Sequence, residues 1–249
     1  MASATRELYI QLLKNCVTDN IYKKQVHVDA DSQPVYNASI ENVEEGTYWP
    51  ERAHTMIGLK RLDNIKFCVE YCLKNNIAGD FIETGVWRGG ATIFMKGILK
   101  AYGSDRKVFV ADSFEGLPEP ETKYIHDQND PHHTFKFLAV PLEEVKNNFR
   151  AYDLLDDNVI FIKGFFETSL KTAPIDKLAI LRLDGDMYSS TIHVLDTLYD
   201  KVTKGGFIII DDYTLPGAKA AVIDFRNKRN IKDEIVLIGK GYSAYWVKK

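Results

Sequence analysis

Short apolar runs alternate with segments of helical periodicity through most of the chain. Five runs are rich in β-branched and aromatic residues and largely lack polar alternation, as expected of strands buried on both faces. These runs are DFIET (80–84), KVFVAD (107–112), NVIFIK (158–163), KLAILRLD (177–184) and GFIIIDD (206–212). Helical spacing of apolar residues falls between them, over 91–101, 141–152, 166–172 and 190–202. The alternation predicts an α/β fold in which right-handed crossovers join parallel strands.

The end of the chain predicts a different connection. A further helical segment at 218–229 precedes two β-rich runs, EIVLIG and YSAYWVK, which are joined by Lys240 and Gly241. Such a short link with a glycine predicts an antiparallel hairpin. The expected fold is therefore a doubly wound sheet of five parallel strands, extended by a C-terminal antiparallel hairpin.

The start of the chain predicts helices on either side of a polar segment. Residues 5–13 can form a short amphipathic helix, and apolar positions recur at helical spacing over 55–73, with Thr55 as a candidate N-cap. Residues 29–51 are polar, contain two prolines and have no sustained period, so we interpret them as an arm or lid. We expect a helical N-terminal arm over 1–54 and one α/β domain over 55–249.

Composition and charge limit the partners. The 249 residues carry 35 acidic and 32 basic side chains, a formal net charge of -3, which gives no reason to expect nucleic acid or an anionic membrane as partner. No stretch approaches the ~20 apolar residues of a membrane helix, and the start resembles no signal peptide. The three cysteines, Cys16, Cys68 and Cys72, form no CxxC pair. We expect a cytoplasmic protein with a small-molecule partner.

A glycine-rich loop, ETGVWRGG (83–90), follows the first predicted strand. Ligands of open α/β sheets bind at the carboxyl ends of the strands, where this loop lies. Gly85 permits a tight turn and the close approach of a ligand, whereas Gly89 and Gly90 let the next helix begin against the strand. The loop indicates a nucleotide-derived cofactor, and a plain structural turn is the alternative.

Two details of this region disfavour a dinucleotide. The glycines follow G-x-x-x-G-G instead of G-x-G-x-x-G, and Glu83 lies where a carboxylate would repel a pyrophosphate. That carboxylate can instead accept a hydrogen bond from the amino group of S-adenosylmethionine (SAM). Asp112, at the end of the second predicted strand, is expected to bind the two ribose hydroxyls, or else to cap a helix or shape a turn.

Aspartates follow the fourth and fifth predicted strands. Asp184 and Asp186 belong to the fourth, and Asp211 and Asp212 to the fifth. Because these strands are neighbours in the usual strand order, the four carboxylates would repel one another unless a cation neutralised them. Mg²⁺, or else Mn²⁺ or Ca²⁺, suits such oxygen ligands, and its predicted ligands are Asp184, Asp211 and Asp212. The alternative is that the acids cap helices and shape turns.

Four motifs, taken in order, resemble one known family. ETGVWRGGAT, ADSFEGLP, LRLDGDMYSST and GGFIIIDDY together are similar to the TylF-like, or macrocin O-methyltransferase, family. With PERAHTMIGLKRLDN, the likeness runs from about Tyr48 to the C-terminus. It implies a class I methyltransferase fold, SAM as methyl donor, Mg²⁺, and a hydroxyl of a sugar or phenol as acceptor. It also implies a homodimer or higher homo-oligomer whose N-terminal segments help to close the site.

The resemblance also implies roles for single residues. Asp186 is the expected general base, although it could instead orient a loop or bind metal. The implied cofactor contacts are Met56, Glu83, Gly85, Asp112 and Ser113, with Gly164 and Phe165 near the adenine. The loop over 118–137 carries no readable code for the acceptor. The sequence therefore leaves open whether His132 or His133 contacts the substrate.

Three other functions fit parts of the same pattern. A metal-dependent, catechol-type phenol O-methyltransferase would act on a catechol but not on a glycoside. An NAD-dependent oxidoreductase needs a dinucleotide glycine loop and gives no reason for the aspartates. A catalytically silent cofactor-binding protein is expected to have lost the metal or base carboxylates, and all of them are present. The favoured prediction is a SAM- and Mg²⁺-dependent O-methyltransferase for a sugar hydroxyl of a glycosylated natural product.

Overall fold

A seven-stranded sheet organises the protein. The computed structural model describes residues 2–22 and 24–249. The strands in these residues are β1 (Val26–Val28), β2 (Pro34–Asn37), β3 (Asp80–Thr84), β4 (Val108–Asp112), β5 (Val159–Lys163), β6 (Leu178–Leu183), β7 (Val202–Ile210), β8 (Val236–Ile238) and β9 (Ser243–Val247). In the order β5-β4-β3-β6-β7-β9-β8, the first five strands are parallel, whereas β9 is antiparallel to β7 and β8. The predicted parallel sheet and terminal hairpin are confirmed.

Helices cover both faces of this sheet. They are α1 (Ala2–Val17), α2 (Ile40–Glu45), α3 (Gly58–Lys74), α4 (Gly90–Ala101), α5 (Leu142–Ala151), α6 (Phe166–Ser169), α7 (Tyr188–Leu198) and α8 (Pro216–Lys228). Phe81 of β3 packs in the apolar layer formed with α1, α3, α4 and α5, and its neighbour Ile82 packs in the layer formed with α7 and α8. Because both faces are buried, the strands read as continuous apolar runs. Within the described part of the chain, no helix is both long and apolar enough to cross a membrane.

Predicted boundaries differ from the observed ones at α1, which spans Ala2–Val17 instead of 5–13, at β7 and at the start of α3. β7 begins at Val202 instead of residue 206, because the polar stretch before Gly206 still extends along the sheet, and it ends at Ile210. Asp211 and Asp212 therefore lie just beyond the strand. Helix α3 begins after Ile57, which makes no side-chain capping bond, so Thr55 is not its N-cap. The Thr55 hydroxyl instead accepts a bond from the N–H of Ile57 (3.4 Å).

The segment predicted to be an arm contains regular structure. Strands β1 and β2 form a small antiparallel sheet. Helix α2 begins with a capping box, in which the side chains of Ser39 and Asn42 each accept a bond from the backbone N–H of the other residue. It ends at Gly46, whose φ of 68° is left-handed. These elements span only three to six residues, which is too short for apolar periodicity to mark them.

Candidate active site

A turn that only glycine can form follows β3. Gly85 has a φ of 86°, and a Cβ atom there would overlap the backbone oxygen of Asp184. The N–H of Gly85 donates to the carbonyl oxygen of Ala111 (2.8 Å), so the ends of β3, β4 and β6 meet at this residue. Any side chain would be strained by the φ value and would push β3 away from β6. The tight turn expected from the sequence is present at the carboxyl ends of the strands.

Strain is also found in the same loop at Trp87. Its φ of 48° is unusual for a bulky aromatic residue. The indole N–H donates to the carbonyl oxygen of Phe137 (2.8 Å), which fixes the ring against the 131–138 region. Backbone strain of this kind clusters at ligand-binding sites, where the surroundings enforce it. The Trp87 side chain lines the cavity described below.

Asp112 ends β4 and stabilises the turn after β3. One carboxylate oxygen accepts from the N–H of Val86 (2.7 Å), and the other accepts from the N–H of Phe114 (2.7 Å) and the hydroxyl of Ser113 (3.3 Å). Burial raises the pKa of Asp112, although these hydrogen bonds oppose the rise. The turn-shaping role that the sequence left open is therefore present. Asp112 and Ser113 also line the cavity.

A buried arginine links the ends of β3, β6 and β7. Arg182 is 0% exposed and donates to Glu83, to Asp184 (2.8 Å) and to Asp211. Glu83 also accepts a bond from the hydroxyl of Thr92, and burial raises the pKa of Glu83 to about 7. Arg182 was not among the residues predicted from the sequence to belong to the site. Its signal was present, because an arginine inside the apolar run LAILRL indicates a buried charge that needs carboxylate partners.

Three aspartate side chains come together beyond β6 and β7. Carboxylate oxygens of Asp184, Asp186 and Asp212 all lie within 4.8 Å of one another. The N–H of Asp186 donates to the carboxylate of Asp212 (3.0 Å), and Asp186 has a φ of 56°, which aspartate adopts more readily than most residues. Burial and the neighbouring carboxylates raise the pKa values of Asp184 and Asp212 well above their usual range. Burial also raises the pKa of Asp186, and His132 opposes this rise.

The donor set of this cluster suits a hard divalent cation. Carboxylate oxygens are the ligands that Mg²⁺ prefers, and a cation would relieve the repulsion that raises the aspartate pKa values. Among the described residues, no other group of three or more His, Cys, Asp or Glu side chains comes together in this way. The residues at the ends of β6 and β7 therefore fit Mg²⁺.

Asp211 has different partners from the three clustered aspartates. Its carboxylate is 4% exposed and accepts from Arg182 on one oxygen and from Arg61 of α3 on the other. The predicted ligands are thus divided: the structure brings Asp184 and Asp212 together with Asp186 and pairs Asp211 with arginines. Each carboxylate oxygen has two lone pairs, so the arginine contacts leave Asp211 with unused acceptor capacity.

A cavity of about 390 Å³ opens at this edge of the sheet. It is lined by all but one of the residues predicted to bind cofactor or metal or to act as base: Met56, Glu83, Gly85, Asp112, Ser113, Phe165, Asp184, Asp186, Asp211 and Asp212. Gly164 does not line it, and its N–H donates to the carbonyl oxygen of Asp112 (2.9 Å). A cavity of this size, with apolar walls and a few convergent polar groups, is typical of a small-molecule site.

The arm forms part of the cavity wall. Lining residues from the arm are His27, Gly46, Thr47, Tyr48 and Trp49. Trp49 stacks on Phe137, with ring centroids 5.1 Å apart, and meets the edge of Phe135. These rings join the arm to the loop after β4. In that loop His132 lines the cavity and places Nδ1 2.5 Å from the Asp130 carboxylate, whereas His133 is not among the lining residues.

The loop over 118–137 is attached to α7 through Asp127 and Tyr124, among other contacts. Asp127 is fully buried, and its carboxylate oxygens accept from the N–H groups of Tyr188 (2.7 Å) and Ser189 (2.9 Å) at the start of that helix. The hydroxyl of Tyr124 lies 2.9 Å from Nε2 of His193. No local sequence pattern marks Asp127, because the helix it caps begins 61 residues further on.

The match to known proteins accounts for this arrangement. The chain matches the family model of macrocin-O-methyltransferase (TylF) over residues 6–248. It belongs to the TylF family. The resemblance drawn from the motifs is confirmed, and the match continues through the arm, which the motifs did not cover. As a TylF-family protein, the chain is an O-methyltransferase.

Several O-methyltransferases are similar to this chain along nearly their whole length. The chain is 47% identical over 245 residues to demethyldecarbamoylnovobiocin O-methyltransferase from Streptomyces niveus, covering 96% of this chain and 92% of that one. It is 44% identical over 252 residues to the 8-demethyl-8-(2,3-dimethoxy-alpha-L-rhamnosyl)-tetracenomycin-C 4'-O-methyltransferase from Streptomyces olivaceus, covering 99% and 94%. The solved structure of the O-methyltransferase NovP superposes with a TM-score of 0.92 at 46% identity, over 98% of this chain and 99% of NovP.

Proposed function

We propose that this protein transfers the methyl group of SAM to a sugar hydroxyl of a glycosylated natural product, in a Mg²⁺-dependent reaction. One observation carries the proposal: the aspartate cluster beyond β6 and β7 and the glycine turn after β3 open into the same cavity. The sugar class is taken from the relatives, one of which is named for a rhamnosyl acceptor. We assign residues 55–249 to the methyltransferase domain and residues 1–54 to an arm that helps to form the acceptor site.

The residues proposed to hold SAM surround the turn after β3. SAM supplies an electrophilic methyl group on a sulfonium. Gly85 leaves room for the close approach of a ligand, and Asp112 and Ser113 present oxygens at the end of β4 that can accept ribose hydroxyl donors. Glu83 retains acceptor capacity beyond its bonds to Arg182 and Thr92. Met56, Gly164 and Phe165 complete the set, with Phe165 as an exposed aromatic surface beside the cavity.

Asp184, Asp211 and Asp212 are the proposed ligands of the cation. Mg²⁺ would supply positive charge that favours the deprotonated form of a nearby hydroxyl. Asp184 and Asp212 lie in the carboxylate cluster, and Asp211 can contribute a lone pair that its arginine partners do not use. The two arginines bond to both carboxylate oxygens of Asp211 and so fix the direction of its side chain.

Asp186 is the proposed general base. An alkyl hydroxyl is a weak nucleophile at neutral pH, so a proton acceptor must lie beside it as the oxygen attacks the methyl carbon. Burial raises the pKa of Asp186 and so makes its carboxylate a better proton acceptor than an exposed aspartate. The N–H of Asp186 is bonded to Asp212, which fixes the base next to a proposed ligand.

The test is a methyl-transfer assay on purified, EDTA-treated protein. SAM binding is first measured by calorimetry, and transfer is then followed by mass spectrometry with an aryl rhamnoside, its aglycone and catechol, before and after Mg²⁺ is added. We expect SAM binding and Mg²⁺-dependent transfer to the rhamnoside alone. Transfer to catechol without transfer to any glycoside would replace the proposal with a phenol methyltransferase, and absence of SAM binding would overturn it.

We also propose a homo-oligomer in the cytoplasm. Apolar Leu8 and Leu12 lie one turn apart on α1 and are 71% and 53% exposed, which suits burial against another subunit. Light scattering on the eluting peak of a sizing column measures the mass directly. A mass of one 28.4 kDa chain at micromolar concentration would contradict the oligomer.

A further inference from the structure

Arg61 of α3 connects the arm with the carboxylates of the site. Its guanidinium donates from Nη2 to the carbonyl oxygens of Gly46 (2.7 Å) and Glu45 (3.3 Å), and from Nη1 to the carboxylate of Asp211. Nε donates to the carbonyl oxygen of Ile57, so the side chain is held at its base as well. Its side chain is only 12% exposed. One mostly buried cation therefore binds two segments that lie far apart in sequence.

The arm end of this contact is the C-terminus of α2. The last carbonyl groups of a helix have no partner within the helix and carry partial negative charge, so a cationic donor stabilises them. Gly46 ends α2, and its backbone packs directly on α3: a Cβ atom on Gly46 would overlap Ile57, and one on Gly58 would overlap Gly46. The position of α2 on α3 is thus set by backbone contact, and Arg61 neutralises the helix end there.

The other end of the contact belongs to the charge network of the site. Asp211 shares its carboxylate between Arg61 and Arg182, and Arg182 continues to Glu83 and Asp184. A continuous series of charged hydrogen bonds therefore runs from Gly46 to Asp184. Residues 47–49 follow Gly46 directly and line the cavity.

We propose that Arg61 is a positioning residue that couples docking of the arm to the placement of the Asp211 carboxylate. By holding both on one guanidinium, it sets the cavity-lining residues 47–49 at a fixed position relative to the aspartates. Its consequence for acceptor binding rests on the function proposed above, whereas the coupling itself does not. The planar, multi-donor fork of arginine is required, because lysine offers one nitrogen in place of three.

The neighbouring Lys60 supplies a matched control. It also bonds to α2, through the carboxylate of Glu45, but its 44% exposed side chain has no bond to Asp211. Replacing Lys60 therefore removes a charged contact with the arm and leaves the connection to the site intact.

The coupling is tested by hydrogen exchange on the full-length protein without cofactor or metal. Exchange is read in peptides covering 26–50 and 205–215 for the wild type and for the variants Arg61→Met, Arg61→Lys, Asp211→Asn and Lys60→Met. We expect Asp211→Asn to speed exchange in 26–50, and Arg61→Met to speed it in both regions. Lys60→Met should speed exchange in the arm alone. If Arg61→Met does not fold, Arg61→Lys carries the same comparison with a smaller effect.

Two results would overturn the coupling. The first is that peptides 26–50 of Asp211→Asn exchange hydrogen at the wild-type rate. The second is that Lys60→Met raises the exchange rate of peptides 205–215 as much as the Arg61 variants do. In the methyl-transfer assay, Arg61→Lys should raise the acceptor KM roughly tenfold and leave SAM affinity within about twofold. If Arg61→Lys weakened SAM binding as much as acceptor binding, Arg61 would have a general structural role instead of the proposed one. If the wild-type protein methylated no glycoside, the proposed function would be wrong. The expected hydrogen-exchange changes in the Arg61 and Asp211 variants would still support the coupling.

Discussion

The two halves of the cavity are held in place by different kinds of contact. At the strand ends, Gly85 fits against the backbone of Asp184, and Asp112 bonds to backbone N–H groups on both sides. The arm packs on α3 through the backbones of Gly46 and Gly58, and long side chains also reach its carbonyl groups, such as Arg61 at Gly46 and Arg88 at Glu51 and Ala53 (both 3.0 Å). The turn at the strand ends is thus bonded by a carboxylate that accepts from backbone N–H groups, and the arm by guanidinium groups that donate to backbone carbonyls. Under the function proposed above, we expect methyl transfer to depend on the strand ends and acceptor choice on the arm.

The largest expected effect comes from filling the strand-end turn. Gly85→Ala should lower the free energy of unfolding by more than about 3 kcal/mol or abolish folding. The new methyl group would overlap a carbonyl oxygen, and the φ value is unfavourable for alanine. Gly103→Ala is the control, since its φ of 65° is also left-handed but nothing lies within 4 Å of the added Cβ. That variant should lose about 1 to 2 kcal/mol. Thermal and urea unfolding measure both. Equal losses would show that strain, and not the close approach of β3 and β6, limits this site.

The next effect concerns the proposed base. Asp186→Asn should lower kcat by roughly 10²- to 10⁴-fold and leave the melting temperature and SAM affinity close to wild type. Steady-state kinetics with an aryl rhamnoside, together with calorimetry for SAM, separate these quantities. The exposed Asp105→Asn variant serves as the control. An Asp186→Asn enzyme with wild-type kcat would remove Asp186 from the mechanism.

A smaller effect is expected on the arm side. Trp49→Ala removes an aromatic surface from the cavity wall and should raise the acceptor KM roughly tenfold, about 1.4 kcal/mol, with little change in SAM affinity. The control is Tyr22→Ala, which removes an exposed ring that does not line the cavity. If Trp49→Ala weakened SAM binding as much as acceptor binding, the division of labour between the two halves would be wrong.

A further expected effect is a pH dependence of stability. Burial raises the pKa of Glu83 from 4.5 to about 7, so its contribution to stability is present below pH 4.5 and is lost as the pH rises through about 7. Without a divalent cation, the melting temperature should therefore fall over this range. Glu83→Gln should make the fall shallower, whereas the exposed Glu234→Gln should not. An unchanged slope in Glu83→Gln would place the titrating group elsewhere.

The sequence predicted the strand-end half far better than the arm half. Gly85, Asp112 and the aspartates near 184 and 211 were recognisable because strand order alone brings strand ends together, and the motif resemblance agreed. The structure places all of them, with Asp186, at the cavity. Thr55 is not the N-cap of α3, and β7 begins earlier than predicted. Asp211 lies with arginines and outside the aspartate cluster, and its role as a metal ligand stays a prediction.

The contacts of the arm half could not be predicted from the sequence. Arg61 and Asp211 are 150 residues apart, and no period or motif connects them. The arm elements are too short for hydrophobic periodicity, and the stacking of Trp49 on Phe137 depends on how two irregular segments meet. Such contacts are decided by tertiary packing, for which single residues in polar segments give no local signal.

The anchoring of the 118–137 loop by Asp127 has a consequence for redesign of this enzyme. A loop borrowed from a relative would preserve the start of α7 only if it also supplied a carboxylate for the first N–H groups of that helix. A transplant without that aspartate would leave two buried donors unsatisfied and would fray the helix that begins two residues after Asp186. Loop exchange should therefore be planned with Asp127 as a fixed graft point, and sequence diversity introduced on either side of it.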